Sequence, residues 1–171
     1  MAQSTIPTNE QLKKIELVVM DVDGVMTTGE ICYTTSGEEI KTFNVKDGHG
    51  ITLWNHYGLK TAIITARDSE IVARRAKELG IQHIFQGAKQ KLATLTALCE
   101  TLSLSLEQVC YIGDDWPDLG PLQAAGLAVC PHDAVPEVQA ASHWILSSCG
   151  GRGAVRELFN ALILARGLAL K

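Results

Sequence analysis

The sequence contains no CxxC pair, no HxxxH or HExxH, no run of basic residues and no GxxxxGK[ST], and each absence removes a class of protein. Its five cysteines (Cys32, Cys99, Cys110, Cys130, Cys149) are odd in number and scattered. They read as reduced thiols packed like small hydrophobes, not as a disulfide framework or a ligand set. The five histidines are equally dispersed, which leaves a zinc site without support. Fifteen basic against nineteen acidic residues give a net charge of -4, with no cluster to neutralise a phosphate backbone, so no nucleic acid partner is expected. Gly48-His49-Gly50 does not continue as GxGxxG, which disfavours a dinucleotide loop. No apolar run reaches bilayer length, and Met1–Thr5 lacks the basic stretch and apolar core of a signal peptide. The expectation is a cytoplasmic protein with no membrane partner. Repeats, low-complexity tracts and linkers are also missing.

What remains is 171 residues, 46% hydrophobic and 20% charged, the composition of one soluble globular domain over 1–171. Folding a chain of this length buries roughly 70% of its surface, enough for a core without staples. Short apolar runs at 15–20, 60–64, 82–85, 109–112, 126–129 and 143–146 read as buried strands. Between and after them lie helical patterns at 48–57, 69–79, 89–102, 117–125, 134–141 and 152–166. This alternation predicts an α/β fold, a doubly wound, Rossmann-like parallel sheet. One segment departs from it. Residues 30–33 and 38–43 flank Thr34-Thr35-Ser36-Gly37 and read as a β-hairpin, an insertion at about 29–43 directly after the first strand. A hairpin cannot serve as a parallel crossover, so it projects from the sheet. Its apolar residues Ile31, Tyr33 and Ile40 and its unpaired edges predict self-association.

Ligands of open α/β sheets bind beyond the carboxyl ends of the strands. The first predicted strand delivers Asp21-Val22-Asp23-Gly24 there, the second Thr65-Ala66-Arg67, and the third a turn leading to Lys91 at the opening of a helix. The fourth delivers Gly113-Asp114-Asp115-Trp116-Pro117-Asp118. Carboxylates gathered this way repel one another, so they share protons or surround a cation, and an all-oxygen set favours a hard ion such as Mg²⁺. Thr65 offers a hydroxyl and Lys91 a positive charge, the partners a phosphoryl group needs. The pattern points to phosphoryl transfer. Asp21 attacks phosphorus to form an aspartyl-phosphate; Asp23 protonates the leaving oxygen and then activates water. A lone DxD at a strand end, or Gly-Asp-Asp in a turn, is commonplace and structural. The force of the reading comes from all of them arriving in order on one edge.

Asp21-Val22-Asp23-Gly24-Val25, Thr65, Lys91 and Gly113-Asp114-Asp115-x-x-Asp118 resemble the four motifs of the haloacid dehalogenase (HAD) superfamily of aspartate-nucleophile phosphatases. The resemblance spans nearly the whole chain. The hairpin in place of a cap domain, the 43–50 segment, Phe85-Gln86-Gly87 and Gly150-Gly151-Arg152-Gly153 are similar to its small capless branch. That likeness implies Mg²⁺ held by Asp21, the Asp23 carbonyl and Asp114, with Asp115 and Asp118 nearby. It also implies a homotetramer in which neighbouring subunits roof each site. The implied substrate is a sugar acid phosphate of eight carbons, linked to lipopolysaccharide precursor synthesis, contacted by Lys46, Arg67 and Arg152. A nine-carbon sialic-acid-type substrate is the alternative. A receiver domain is disfavoured because its acidic pair precedes the lone phospho-accepting Asp, whereas here DxD comes first. A non-catalytic oligomerisation module is disfavoured because every candidate catalytic residue is present.

Overall fold

A computed structural model of the chain describes residues 6–170. The expectation drawn from Met1–Thr5 lies outside the described residues. Six strands form one parallel sheet: β1 (Leu17–Met20), β4 (Lys60–Ile64), β5 (His83–Phe85), β6 (Val109–Ile112), β7 (Leu127–Cys130) and β8 (Trp144–Ile145). Their spatial order is β5-β4-β1-β6-β7-β8. The chain therefore runs outward from β1 through β4 to β5, then returns to the other side of β1. Between β1 and β6 the direction reverses, and such a reversal opens a crevice at the carboxyl ends of the strands.

The central strands are buried on both faces because alternate residues feed two cores. Val18, Met20, Ile63, Cys110 and Ile112 pack on one side, with α2 (Val45–His56), α3 (Glu70–Glu78) and α7 (Ala154–Ala165). Leu17, Val19, Ile64, Val109 and Tyr111 pack on the other, against α4 (Lys91–Leu102), α5 (Leu119–Ala124) and α6 (Pro136–Ala141). No helix among the described residues is long and apolar enough to cross a membrane.

The six expected strands and six expected helices form, with shifted ends. The helix expected from 48 starts at Val45, because Asn44 accepts a hydrogen bond from the Lys46 amide and caps it three residues earlier. The stretch expected as one helix over 117–125 is a 3₁₀ turn at Trp116–Asp118 followed by α5. A short helix α1 (Asn9–Lys13) was not expected, although Thr8 and Gln11 form a capping box and are its sequence signal. The hairpin consists of β2 (Cys32–Tyr33) and β3 (Glu39–Ile40), paired antiparallel and shorter than the sequence suggests. It is the only structure inserted between β1 and α2 among the described residues, and no cap domain is present there.

Candidate active site

Asp21 follows β1 directly, and its amide donates to the Ile112 carbonyl of β6 at 3.0 Å, so the residue is pinned at the crevice. One residue beyond Asp23 the chain must turn. Gly24 does so at φ +86°, where a side chain would also collide with Asp114, since a Cβ would lie 2.0 Å from Asp114 Oδ2. Asp114 lies two residues past β6 and is thereby brought against the DxD turn. A cavity of about 240 Å³ opens here, lined among others by Asp21, Asp23, Thr65, Arg67, Lys91 and Asp114. Asp115 and Asp118 also line it.

Lys91, the first residue of α4, is buried and bridges two carboxylates, 2.8 Å from Asp21 Oδ2 and 2.8 Å from Asp118 Oδ1. Burial works against its charge, but Asp21 and Asp118 outweigh that and hold its pKa above the ordinary lysine value. Asp118 is wholly buried and well supplied: Oδ1 also accepts from the Tyr111 hydroxyl at 2.7 Å, and Oδ2 from the Asp114 amide at 3.3 Å. Tyr111 stays protonated because burial and then the neighbouring carboxylates push it well above its usual range. Asp118 thus fixes Lys91, while Asp115 turns outward and caps the 3₁₀ turn, accepting from the Trp116 amide at 2.7 Å.

By contrast, Asp21 Oδ1 and Asp114 Oδ1 are buried with no hydrogen-bond partner among the described residues. Buried polar atoms are rarely left this way. Burial first, then Asp118, raises Asp21 to about 6; burial, Asp21, Asp118 and Asp115 raise Asp114 to about 8. Oxygens of Asp21, Asp114 and Asp118 lie within 4.8 Å of one another. A hard divalent cation fits this donor set, since it would satisfy both orphan oxygens and relieve the repulsion. Both oxygens of Asp118 already accept hydrogen bonds, leaving the unpartnered Oδ1 atoms of Asp21 and Asp114 to hold it.

A second ionic cluster adjoins the first and was not foreseen. Lys41, just past β3, pairs with Asp23 Oδ1 and lies 3.6 Å from Glu39 Oε1. Glu39 also accepts from Arg67 Nη2 at 2.5 Å and from Ser69 Oγ at 2.9 Å. Arg67 Nε lies 3.9 Å from Asp23 Oδ2. Of the ten residues singled out in the sequence, two are not brought into the cavity of this chain. Lys46 is exposed in the first turn of α2, and Arg152 is exposed on the turn before α7. The glycines beside Arg152 pack on the DxD turn itself: the Gly151 amide donates to the Val25 carbonyl at 2.9 Å. That turn is secured from α2, where buried Asp47 accepts from the Gly153 and Arg156 amides and supplies the cap that α7 lacks from its own sequence.

Residues 63–158 match the model of the haloacid dehalogenase-like hydrolases. The chain is 41% identical to the 3-deoxy-D-manno-octulosonate 8-phosphate phosphatase KdsC of Escherichia coli over 155 residues, 91% of this chain and 82% of that protein. Among solved structures, the 3-deoxy-D-manno-octulosonate 8-phosphate phosphatase of Moraxella catarrhalis, in complex with magnesium ion, phosphate ion and a KDO molecule, superimposes with a TM-score of 0.90. It is 42% identical, over 92% of this chain and 90% of that one. The cobalt-bound deoxy-D-mannose-octulosonate 8-phosphate phosphatase of Haemophilus influenzae gives 0.88 at 38% identity, covering 92% of each.

Proposed function

This chain belongs to the haloacid dehalogenase-like hydrolases, and we propose that within them it is the Mg²⁺-dependent phosphatase that hydrolyses 3-deoxy-D-manno-octulosonate 8-phosphate to the free sugar acid and phosphate, a step in lipopolysaccharide precursor synthesis. The observation that carries this is the pair of orphan carboxylate oxygens on Asp21 and Asp114, set beside Thr65 and Lys91 in one small cavity. Relatives named for the eight-carbon substrate favour it over the nine-carbon alternative.

Asp21 and Asp114 would hold Mg²⁺, with the Asp23 carbonyl as the further ligand the family resemblance implies. When bound, the ion neutralises charge on the phosphoryl oxygens and lets both carboxylates stay ionised at neutral pH. Asp21 attacks phosphorus and the ester oxygen leaves, taking its proton from Asp23. Asp23 then takes a proton from water as the water oxygen attacks the aspartyl-phosphate, which releases phosphate and restores Asp21. Thr65 and Lys91 bind phosphoryl oxygens, Lys91 kept in place by Asp118. A cavity of about 240 Å³ is smaller than the roughly 300–1,000 Å³ usual for a small-molecule site. It therefore suits the phosphoryl head, and the sugar acid lies outside it. Arg67 borders that outlet, and Lys46 and Arg152 act on the sugar acid across a subunit boundary in a homotetramer, in the cytoplasm.

The test is phosphate release from 3-deoxy-D-manno-octulosonate 8-phosphate, with and without EDTA, for the parent and for Asp21→Asn. Turnover should require the divalent ion and fall by at least about a thousandfold in the variant, as expected when a nucleophile is removed. Release that resists EDTA, or that survives in Asp21→Asn, overturns the reading.

A further inference from the structure

The hairpin carries a lysine whose surroundings are unusual for an insertion that otherwise projects into solvent. The Lys41 side chain is only 3% exposed. A buried ammonium is costly unless its charge is met, and here Asp23 and Glu39 meet it. Glu39 is in turn held by Ser69 and Arg67. Ser69 occupies the N-cap position of α3 yet makes no capping bond, because its hydroxyl donates to Glu39. A residue type that ordinarily caps a helix is diverted to fix a carboxylate whose neighbour is Lys41. The chain of contacts runs from the start of α3 through Glu39 and Lys41 to one oxygen of Asp23.

We infer that Lys41 is a positioning residue for Asp23, and that Glu39 fixes Lys41, so the hairpin is a working part of the catalytic site as well as a projecting arm. The inference rests on the reading of Asp23 as the acid and base of a phosphatase. Lys41 pairs directly with Oδ1, whereas the Arg67 Nε near Oδ2 stands off at 3.9 Å, so Oδ2 is the oxygen assigned to the proton. The Oδ2–H bond breaks as the P–O bond to the leaving group breaks, and the proton ends on the leaving oxygen. In the second half the water proton returns to Oδ2. Without Lys41 the carboxyl keeps only the more distant Arg67, 3.9 Å from Oδ2, and its alignment with the leaving oxygen is lost. Lys41 itself need not touch the substrate.

A residue that only braced the fold would affect all substrates alike, whereas one acting through the acid affects those whose leaving group needs a proton. The experiment therefore compares kcat/KM, which covers formation of the aspartyl-phosphate, for 3-deoxy-D-manno-octulosonate 8-phosphate and for p-nitrophenyl phosphate. The first would leave as a poorly stable alkoxide unless the acid protonates it; the second leaves as a stable phenolate. Lys41→Met, which keeps the stem and removes the charge, should lose at least about tenfold on the sugar acid phosphate and less than about threefold on the aryl ester. Lys41→Arg should recover most of the loss, and Glu39→Gln should show the same selectivity more weakly. Asp23→Asn serves as the reference for the pattern. If Asp23→Asn is selective and Lys41→Met is equally impaired on both substrates, or on neither, the inference is wrong and the phosphatase reading stands. If Asp23→Asn itself shows no selectivity, the underlying reading of Asp23 fails first. Thermal unfolding of each variant identifies loss of fold; should Lys41→Met not fold, Glu39→Gln decides by the same ratio.

Discussion

Asp21 and Asp114 are carboxylates that the folded chain holds where neither is comfortable alone. Their carboxyls are pushed up to about 6 and about 8 from the ordinary 3.8, by burial first and then by neighbouring carboxylates, Asp118 for Asp21 and Asp21 for Asp114. A raised carboxyl contributes stability that is complete below the unfolded value and lost as pH rises through the folded one. The carboxylates with lowered values, such as Glu157, held by Ser147 and Ser148 against the effect of burial, have given their full contribution above about pH 5. The metal-free protein should therefore lose stability between about pH 5 and 8 as Asp21 and Asp114 ionise. Mg²⁺ should restore it, more at pH 8 than at pH 5. In Asp114→Asn most of the metal-free decline should vanish together with the response to Mg²⁺. Thermal unfolding across that interval, with and without the ion, checks this; a metal-free midpoint that rises with pH would refute it. At this scale the sequence was largely legible. Asp21, Asp23, Thr65, Lys91, Asp114, Asp115 and Asp118 all line one cavity, because each follows or opens an element whose type its neighbours announce. Tyr111 was hidden because it lies inside an apolar strand run, and only the packing shows its hydroxyl donating to Asp118.

Elements meet at this site through backbone as much as through side chains. The Gly150–Gly153 turn lies so close to the DxD turn that a Cβ on Gly150 would stand 1.8 Å from the Gly24 carbonyl oxygen and 3.1 Å from that of Thr27. Neither atom belongs to a flexible side chain, so the DxD turn itself would have to move. Gly150→Ala should cost about 2 kcal/mol or more in stability. It should also lower turnover even of p-nitrophenyl phosphate, because the displaced turn carries Asp23. Gly58→Ala is the contrast: φ is +76° but nothing lies within 4 Å, so a loss of about 1 kcal/mol without loss of activity is expected. Unfolding midpoints and turnover of the two variants separate strain from displacement; equal activity in both would contradict the proposed role of the contact. Nothing local in the sequence says what the glycines of this turn serve, and in this chain they make room for its own DxD turn. Asp47 was equally illegible as a cap, since the helix it caps begins more than a hundred residues later.

The whole molecule leaves Ile31, Tyr33 and Ile40 of the hairpin 57%, 60% and 48% exposed, and leaves Lys46 and Arg152 outside its own cavity. Covering the first set and using the second are both met by association of subunits. Light scattering should show a stable tetramer at micromolar concentration, and Ile31→Lys combined with Ile40→Lys should shift it to smaller species; a monomeric parent would contradict this. Arg152→Ala should impair the sugar acid phosphate far more than p-nitrophenyl phosphate, which has no carboxylate to bind. Equal impairment of the two would remove Arg152 from substrate recognition.

By itself the sequence determined the order and type of nearly all the elements, the parallel sheet, and which side chains stand at the carboxyl ends of its strands. Those features rest on local apolar runs, helical spacing and chain direction, which are readable without knowing what packs where. The tertiary structure alone decided that β1 lies between β4 and β6. That order brings Asp21 and Asp114 together and leaves an oxygen of each without a partner. It alone placed Lys41 against Asp23, Glu39 against Arg67 and Ser69, and Asp47 under α7. Such contacts join residues tens of positions apart, carry no period of their own, and exist only once the two cores have closed around the sheet.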